Sequence, residues 1–215
     1  MNRGITYTRM AISDKRIYLA SRSSRRRELL HQIGVGHELL LLREAQPRGC
    51  DVDETPHQGE APRDYALRVA GAKAAVGLQV LSRRAGMLKP VLAADTTIAL
   101  NDRIIGKPRD AADAAQILSD LSGRDHVVIT AVAMAFAGRL ETRVCESRVW
   151  MHALDTARIR RYIASAEPMD KAGAYAVQGR AAAFISRIEG SYSGIMGLPL
   201  AETAELLTSF GIDIP

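Results

Sequence analysis

The feature that most constrains the fold of this sequence is the alternation of short apolar runs with segments of helical periodicity. Residues 16–20, 37–42 and 90–100 form apolar runs of the length expected for buried strands. A helical pattern over 64–81 separates the second run from the third. Two longer runs, HVVITAVAMAF and ETRVCESRVWMHAL, meet at the Ala-Gly pair of residues 137–138 and predict a β-hairpin. Because helices alternate with strands and an antiparallel pair follows, we predict an α/β fold whose mixed, twisted sheet is flanked by helices.

Capping residues predict where the remaining helices begin and end. One helix starts near Arg25 with Ser24 as its N-cap and ends at Gly34. Another follows Asp110, which is also a typical N-cap. A third helix, in DTARIRRYIASAEP, stops at its proline, and PLAETAELLTSFG forms the last. We also expect short strands in AYAVQG and AAFISRIEG, a turn in GSYSGIMGLP, and a long polar loop over 43–64.

Length and composition bound the domain organisation and disfavour several protein classes. The chain has 215 residues, and we predict one domain over 15–215 that follows a disordered extension over 1–14. The N-terminus lacks the apolar core of a signal peptide, and every apolar stretch is far shorter than the roughly 20 residues of a membrane span. Cys50 and Cys145 are too few for a disulfide scaffold, so we expect a reduced, cytoplasmic protein. The five histidines show no zinc-ligand spacing.

The charge balance is compatible with an anionic partner. The formal net charge is +5 and the isoelectric point is about 9.5, which suits a nucleotide, nucleic acid or anionic lipid, but equally suits plain solubility. Aromatic residues make up only 5% of the chain, so an RNA-stacking platform is disfavoured.

The segment from Ser21 to Arg27 joins a strand to a helix start and has the chemistry of an anion site. The first-turn N–H groups of a helix are unpaired and its dipole is positive there, while Arg22, Arg25 and Arg26 add bidentate donors. At about 100° per residue, Arg26 falls in line with the apolar stripe of the helix, which places it on a cleft wall. An exposed basic helix start is the alternative, and the chain contains no GxxxxGK[ST] phosphate loop.

Carboxylates and isolated lysines supply further candidates. The DVDE stretch, residues 51–54, either holds a hard cation or keeps a long loop hydrated. Asp95 ends an apolar strand run, where a carboxylate faces the ligand cleft of an α/β sheet and could bind Mg²⁺ or act as a general base. A turn aspartate that caps Thr97 is the alternative. Lys107 lies in an exposed turn, and Lys171 lies beside small residues that allow close backbone approach.

Taken in chain order, these stretches resemble the Maf family of nucleoside triphosphate pyrophosphatases, also called septum formation inhibitors. The matching stretches include LASRSSRRRELL, VDE, RVAGAKA, AADTTIALNDRIIGKPRD, DKAGAYAVQG and IEGSYSGIMGLPLAETAELL, and they extend from about Arg16 to Phe210. The resemblance implies an inosine-triphosphatase-like fold around a central cleft, and hydrolysis of a nucleoside triphosphate to the monophosphate and pyrophosphate. It further implies a role in nucleotide-pool sanitation and cell-division arrest. It also implies a divalent cation, Mg²⁺ or Mn²⁺. The form DKAGAYAVQG, which includes Gln178, resembles the branch that acts on dTTP and UTP.

The resemblance also implies roles for individual residues. The family's catalytic aspartate matches Asp95 and its acidic metal ligand matches Glu54, so both are expected to be catalytic and to hold the metal. The expected phosphate-binding residues are Ser21, Arg25, Arg26, Lys73 and Lys107. The residues linked to base choice match Arg25, Thr96 and Gln178. Ser24 stands where the family usually has proline, but it retains a helix-capping side chain.

The resemblance implies a nucleoside triphosphate substrate, a homodimer, no stable nucleic-acid complex and no membrane association.

Two other functions compete with this hypothesis. One alternative is a non-catalytic regulatory protein, associated with septum formation, whose basic surface recruits nucleic acid or a division partner. Asp53, Glu54 and Asp95 argue against it, because they would repel a phosphate backbone unless a metal intervened. The other alternative is a pyrophosphatase for purine or modified nucleotides.

Overall fold

The computed structural model describes residues 16–43, 51–83 and 88–214, and its strands form one mixed sheet. The strand order is β2-β1-β3-β5-β6-β7, and β4 pairs with β3. β1 lies parallel to β2 and β3, whereas the other pairs are antiparallel. The strands are β1 (Ile17–Leu19), β2 (His37–Leu39), β3 (Val91–Leu100), β4 (Arg103–Ile105), β5 (Asp125–Phe136), β6 (Arg139–Met151) and β7 (Ile185–Glu189).

Helices cover both faces of this sheet, so the predicted α/β class is confirmed. The α-helices are α1 (Ser24–Gln32), α2 (Pro62–Ser82), α3 (Ala111–Leu121), α4 (Thr156–Ile163), α5 (Tyr192–Met196) and α6 (Leu200–Ser209). Three short 3-10 helices lie between α4 and β7, at Glu167–Asp170, Ala172–Ala174 and Arg180–Phe184. None of the helices in the described ranges has a stretch long and apolar enough to cross a bilayer.

The two faces of the sheet have different packing. On one face, α2 lies against β3 and β5 through small residues, including Ala70 and Ala74 against Ala93 and Ala131. The approach is so close that a Cβ on Gly77 would lie 2.8 Å from Val91 Cγ1. On the other face, α1 and α6 pack near one end of β3 while α3, α4 and α5 pack near the other. The sheet is therefore buried on both faces around β3.

A break in the pairing of β3 opens the cleft. β5 pairs with β3 from Val91 to Ala99, but β1 pairs with it only as far as Leu92. β4 pairs with β3 only from Ile98 onward. Residues 93–97 therefore have no strand on that side among the described parts of the chain. A sheet edge without a neighbour leaves room for a cavity beside β3.

The predicted hairpin is confirmed, and two residues with positive φ form its tight turn. β5 and β6 pair continuously from Asp125 with Trp150 to Phe136 with Arg139. Ala137 and Gly138 both have positive φ, at 48° and 79°. Two successive left-handed residues match the right-handed twist of a two-residue hairpin.

Several element boundaries differ from those predicted. Ser23, not Ser24, is the N-cap of α1: its hydroxyl accepts a hydrogen bond from the Arg26 N–H at 3.4 Å, and Ser24 is the first helical residue. The second strand ends at Leu39 instead of residue 42. The second helix begins two residues earlier than predicted because Pro62 already has the backbone geometry of a first helical turn.

Two predictions on the C-terminal half are wrong. AYAVQG is not a strand: the chain enters it from Gly173 and Ala174, whose φ values of 68° and 57° interrupt an extended backbone. GSYSGIMGLP is not only a turn, since it contains α5, which Ser191 caps by accepting a hydrogen bond from the Gly194 N–H at 3.0 Å. The disordered extension predicted for 1–14 lies outside the described residues.

Candidate active site

One cavity of about 990 Å³ lies beside the open edge of β3. It is near the upper end of the range for small-molecule sites, which is roughly 300–1,000 Å³. All nine residues to which the family resemblance assigns a role line this cavity: Ser21, Arg25, Arg26, Glu54, Lys73, Asp95, Thr96, Lys107 and Gln178. The structure therefore brings together residues from six separate stretches of the chain.

β3 sends its two central polar side chains to opposite faces of the sheet. Successive strand residues alternate in direction, so Asp95 points toward α2, as Ala93 does, and Thr96 points toward α1 and α5, as Ile98 does. The strand predicted over 90–100 is confirmed as β3, but Asp95 lies in its middle and not at a strand end. Asp95 faces the cleft because the neighbouring strand β1 ends there, not because β3 does.

A shared lysine joins the two carboxylates predicted to be catalytic. Lys73 Nζ lies 2.8 Å from Asp95 Oδ1 and 3.0 Å from Glu54 Oε1. Asp95 is only 6% exposed. Burial raises the pKa of Asp95, and the neighbouring Lys73 ammonium opposes that change without cancelling it. A buried carboxylate with a raised pKa is suited to accept a proton during a reaction.

The loop that carries Glu54 is held against α2 by residues that the sequence analysis missed. The Tyr65 hydroxyl donates to the Glu54 carbonyl oxygen at 2.9 Å. Arg68 donates to the carbonyl oxygens of Asp53 and Thr55 at 3.2 and 3.0 Å. Its guanidinium also pairs with Glu60 at 2.6 Å, which lowers the pKa of that carboxyl to about 2. The only available signal was their position one to two helical turns before Lys73.

Arg26 connects three parts of the site, as its predicted position on the cleft wall requires. Its Nε donates to the Gly197 carbonyl oxygen at 2.8 Å. Its two terminal nitrogens donate to the hydroxyls of Ser21 and Thr96 at 3.2 and 3.1 Å. Burial lowers the pKa of Arg26, although the negative charges of Asp95 and Glu54 oppose that change. Three of its five N–H groups are thus engaged by the protein, which leaves two for a ligand.

The remaining predicted residues lie around the rim. Arg25 forms a partly exposed ion pair with Glu28 at 2.8 Å. Lys107 follows β4 in an exposed loop, and Gln178 lies in the turn after the second 3-10 helix. Lys171 also lines the cavity and pairs with Asp170.

The cavity wall has a charged part and an apolar part. The basic and acidic side chains described above line the first part. Apolar side chains from β3, β5, α5 and the turn around Gln178 line the second: Ile98, Val128, Tyr175, Val177 and Ile195. Such a division accommodates a ligand with a strongly anionic end and a flat, weakly polar end.

Residues 16–210 match the sequence profile of the Maf-like protein family, which is nearly the whole chain. The chain belongs to the Maf-like family. Curated relatives of this Maf-like protein carry the name dTTP/UTP pyrophosphatase. The one from Aromatoleum aromaticum is 57% identical over 91% of this chain and 96% of its own length. Those from Nitrosospira multiformis and Nitrosomonas europaea are 54% and 52% identical, over 95% and 92% of this chain and 99% and 96% of their own lengths.

Among solved structures, the Maf-like chain is similar to the Ham1 protein of Staphylococcus aureus. The TM-score is 0.40, with 22% identity over 63% of this chain and 70% of that protein. This likeness is too distant to support a conclusion.

The carboxylates of this Maf-like protein fit a divalent cation that binds with its substrate. Within the described residues, no group of three or more His, Cys, Asp or Glu side chains could hold a metal alone. Mg²⁺ usually takes only one or two protein carboxylates and completes its shell with water and substrate phosphates. Glu54 and Asp95, which approach the same ammonium, supply two such oxygen donors.

Proposed function

We propose that this protein hydrolyses dTTP and UTP to the nucleoside monophosphate and pyrophosphate. One observation carries the proposal: a single cavity combines a buried carboxylate, Asp95, with several cationic side chains and an apolar wall. The names of the 52–57% identical relatives supply the substrate class. Nucleotide-pool sanitation and cell-division arrest stay predictions of the family resemblance.

The charged part of the cavity binds the triphosphate in this proposal. Lys73, Lys107 and Arg25 bind phosphate oxygens, together with the two unused N–H groups of Arg26 and the Ser21 hydroxyl. Glu54 and Asp95 would hold a divalent cation, which supplies positive charge to the phosphates when bound. Mg²⁺ is the cation we propose.

Asp95 acts on the attacking water. Its carboxylate accepts a proton as the water oxygen forms a bond to the α-phosphorus, and the bond from that phosphorus to the α–β bridging oxygen breaks. Pyrophosphate leaves with the bonding electrons, and the nucleoside monophosphate keeps the new oxygen. The raised pKa of Asp95 makes its carboxylate a better proton acceptor than an exposed one.

The apolar part of the cavity receives the base. Ile98, Val128 and Ile195 offer flat contact surface, while Gln178 offers both a donor and an acceptor to a base edge. Thr96 lies between the two parts, beside Arg26 and on the same face of β3 as Ile98.

A substrate panel tests the proposal. The purified protein would be incubated with Mg²⁺ and dTTP, UTP, CTP, 7-methyl-GTP or ITP, and both pyrophosphate and orthophosphate would be measured. We expect pyrophosphate from dTTP and UTP, and at least a 100-fold loss of rate in Asp95→Asn with retained folding. Orthophosphate alone would overturn the cleavage site, and preferred turnover of ITP would favour the purine alternative. No product with any nucleotide would favour the non-catalytic one.

Cytoplasmic location and a homodimeric state complete the proposal. The location rests on the reduced cysteines expected from the sequence, and the homodimer rests on the family resemblance. Sedimentation of the purified protein at micromolar concentration tests the second, and a monomer would contradict it.

A further inference from the structure

Two threonines form a hydroxyl pair at the bottom of the cavity. Thr96 on β3 and Thr130 on β5 are direct partners across the strands. Their Oγ1 atoms lie 3.0 Å apart. Thr130 is completely buried, while Thr96 is partly exposed and lines the cavity. Only Thr96 can therefore touch a ligand, and Thr130 lies behind it.

The ends of this pair have fixed hydrogen-bonding roles. Arg26 Nη2, which can only donate, lies 3.1 Å from Thr96 Oγ1. The Gly194 carbonyl oxygen, which can only accept, lies 2.8 Å from Thr130 Oγ1. Each threonine hydroxyl carries one proton. These two protons must serve two contacts, the one between the hydroxyls and the one between Thr130 and the Gly194 carbonyl.

Counting protons leaves one favourable arrangement. The Thr130 hydroxyl is placed to donate to both Thr96 Oγ1 and the Gly194 carbonyl oxygen, but it carries only one proton. If that proton goes to the Gly194 carbonyl, the Thr96 proton fills the contact between the two hydroxyls, and every contact contains one proton. If Thr130 instead donates to Thr96, the Thr130 hydroxyl oxygen and the Gly194 carbonyl oxygen lie 2.8 Å apart with no proton between them. Such a buried contact between two acceptors is unfavourable. The chain of hydrogen bonds therefore runs from Arg26 through Thr96 and Thr130 to Gly194. The Thr96 proton is then occupied, and Thr96 presents only a lone pair to the cavity.

We propose that Thr130 is a positioning residue that makes Thr96 a hydrogen-bond acceptor and thereby selects bases with an N–H donor. This inference rests on the proposed function and on contact between Thr96 and the base edge. Uracil and thymine have a proton on N3, whereas N3 of cytosine is an acceptor. An acceptor at Thr96 attracts the first two bases and repels the lone pair of the third. Thr96 lies on the same face as the apolar wall, where the base would bind.

Two substitutions at Thr130 separate its hydroxyl from its shape. Thr130→Val keeps the branched side chain and removes the hydroxyl, which frees the Thr96 proton to turn toward the ligand. We expect the KM for UTP to rise and the KM for CTP to fall, so that the ratio of their kcat/KM values drops roughly tenfold. Thr130→Ser keeps the hydroxyl and should stay within about twofold of the wild-type ratio.

The opposite changes in KM distinguish this role from a structural one. A general loss of packing would weaken both substrates, and it would do so equally in a protein that carries Thr96→Val. If Thr130 acts through Thr96, adding Thr130→Val to Thr96→Val should leave the UTP/CTP ratio unchanged. An undiminished effect in that background, or an unchanged ratio in Thr130→Val alone, would overturn the inference. Should Thr130→Val fail to fold, Thr130→Ala provides the same comparison. Failure of the proposed function is separate, because the wild-type protein itself would then not hydrolyse UTP.

Discussion

At the scale of single residues, Lys73 determines the electrostatics of the site. Its ammonium lies within 3.0 Å of both Glu54 and Asp95, and its side chain is only 15% exposed. Without it, two carboxylates would face each other beside a buried strand. Burial raises the pKa of Asp95 even with this cation beside it. Lys73 thus opposes the rise in the pKa of Asp95 that burial causes, which favours the ionised form of this carboxylate.

Lys73→Met tests this role, because methionine retains the apolar stem and removes the charge. We expect kcat/KM for UTP to fall about 100-fold or more, since a phosphate contact is lost and the pKa of Asp95 rises further without the neighbouring cation. Steady-state kinetics at saturating Mg²⁺ measures it. Lys89→Met is the matched control: Lys89 pairs with Glu38 at 2.9 Å and does not line the cavity. Equal losses in both variants would contradict the assignment.

At the scale of elements, the loop before α2 depends on a few side chains of that helix. Arg68 makes two hydrogen bonds to loop carbonyls and an ion pair with Glu60. The Arg68–Glu60 pair is only partly exposed, and it fixes the guanidinium that donates to the loop carbonyls on either side of Glu54. A poorly held ligand weakens metal binding more than it weakens the fold.

Arg68→Met should therefore raise the Mg²⁺ concentration for half-maximal activity several-fold with little change in thermal stability. An activity titration with Mg²⁺ and a melting curve measure the two effects. Arg63→Met is the control on the same helix, because Arg63 pairs with Glu146 instead of the loop. The assignment fails if the Mg²⁺ dependence of Arg68→Met matches that of the control.

A second element-scale feature is the contact between the turn at Gly173 and β3. Gly173 has a φ of 68°, donates its N–H to the Gly106 carbonyl oxygen at 2.9 Å, and leaves no room for a Cβ, which would lie 2.1 Å from Ile98 Cδ1. Gly138 has a similar φ of 79°, but open space surrounds its Cβ position. A substitution at Gly138 therefore tests backbone strain alone, whereas a substitution at Gly173 tests strain together with steric overlap.

Gly173→Ala should cost about 3 kcal/mol of unfolding free energy, because the clash adds to the strain. Gly138→Ala should cost about 1 kcal/mol from strain alone. Urea unfolding of both variants provides the comparison. Equal losses would mean that Ile98 moves aside without cost.

At the scale of the whole molecule, the sequence predicted which residues line the site better than it predicted the strand pairing that brings them together. Each predicted side chain lies in a local pattern, and all of them line the cavity. The reason that Asp95 faces the cleft was missed, because it depends on where β1 ends, which is a matter of non-local register. Tyr65 and Thr130 escaped for a similar reason: their partners, the Glu54 carbonyl and Thr96, lie 11 and 34 residues away.

Stability of the whole domain should depend on pH through His126. Its Nε2 lies 2.7 Å from the Tyr175 hydroxyl, and its Nδ1 is buried without a hydrogen-bond partner in the described structure. Burial lowers the pKa of His126 from 6.5 to about 4, and the charge of Asp125 offsets this only in part. Between these two values the unfolded chain binds a proton that the folded protein does not. The free energy of unfolding therefore falls as the pH drops below 6.5, and this loss is complete below about 4.

Urea unfolding at pH 7.5 and pH 5 measures this effect. We expect the wild-type protein to lose about 2 kcal/mol more than His126→Gln over that interval, because glutamine does not titrate. His152→Gln is the control, since His152 is exposed and its side chain meets solvent before and after unfolding. If His126→Gln and wild type lose the same free energy, the buried imidazole does not carry the pH dependence. A wild-type excess that disappears in His126→Gln but persists in His152→Gln would show that this buried histidine accounts for the loss of stability at low pH.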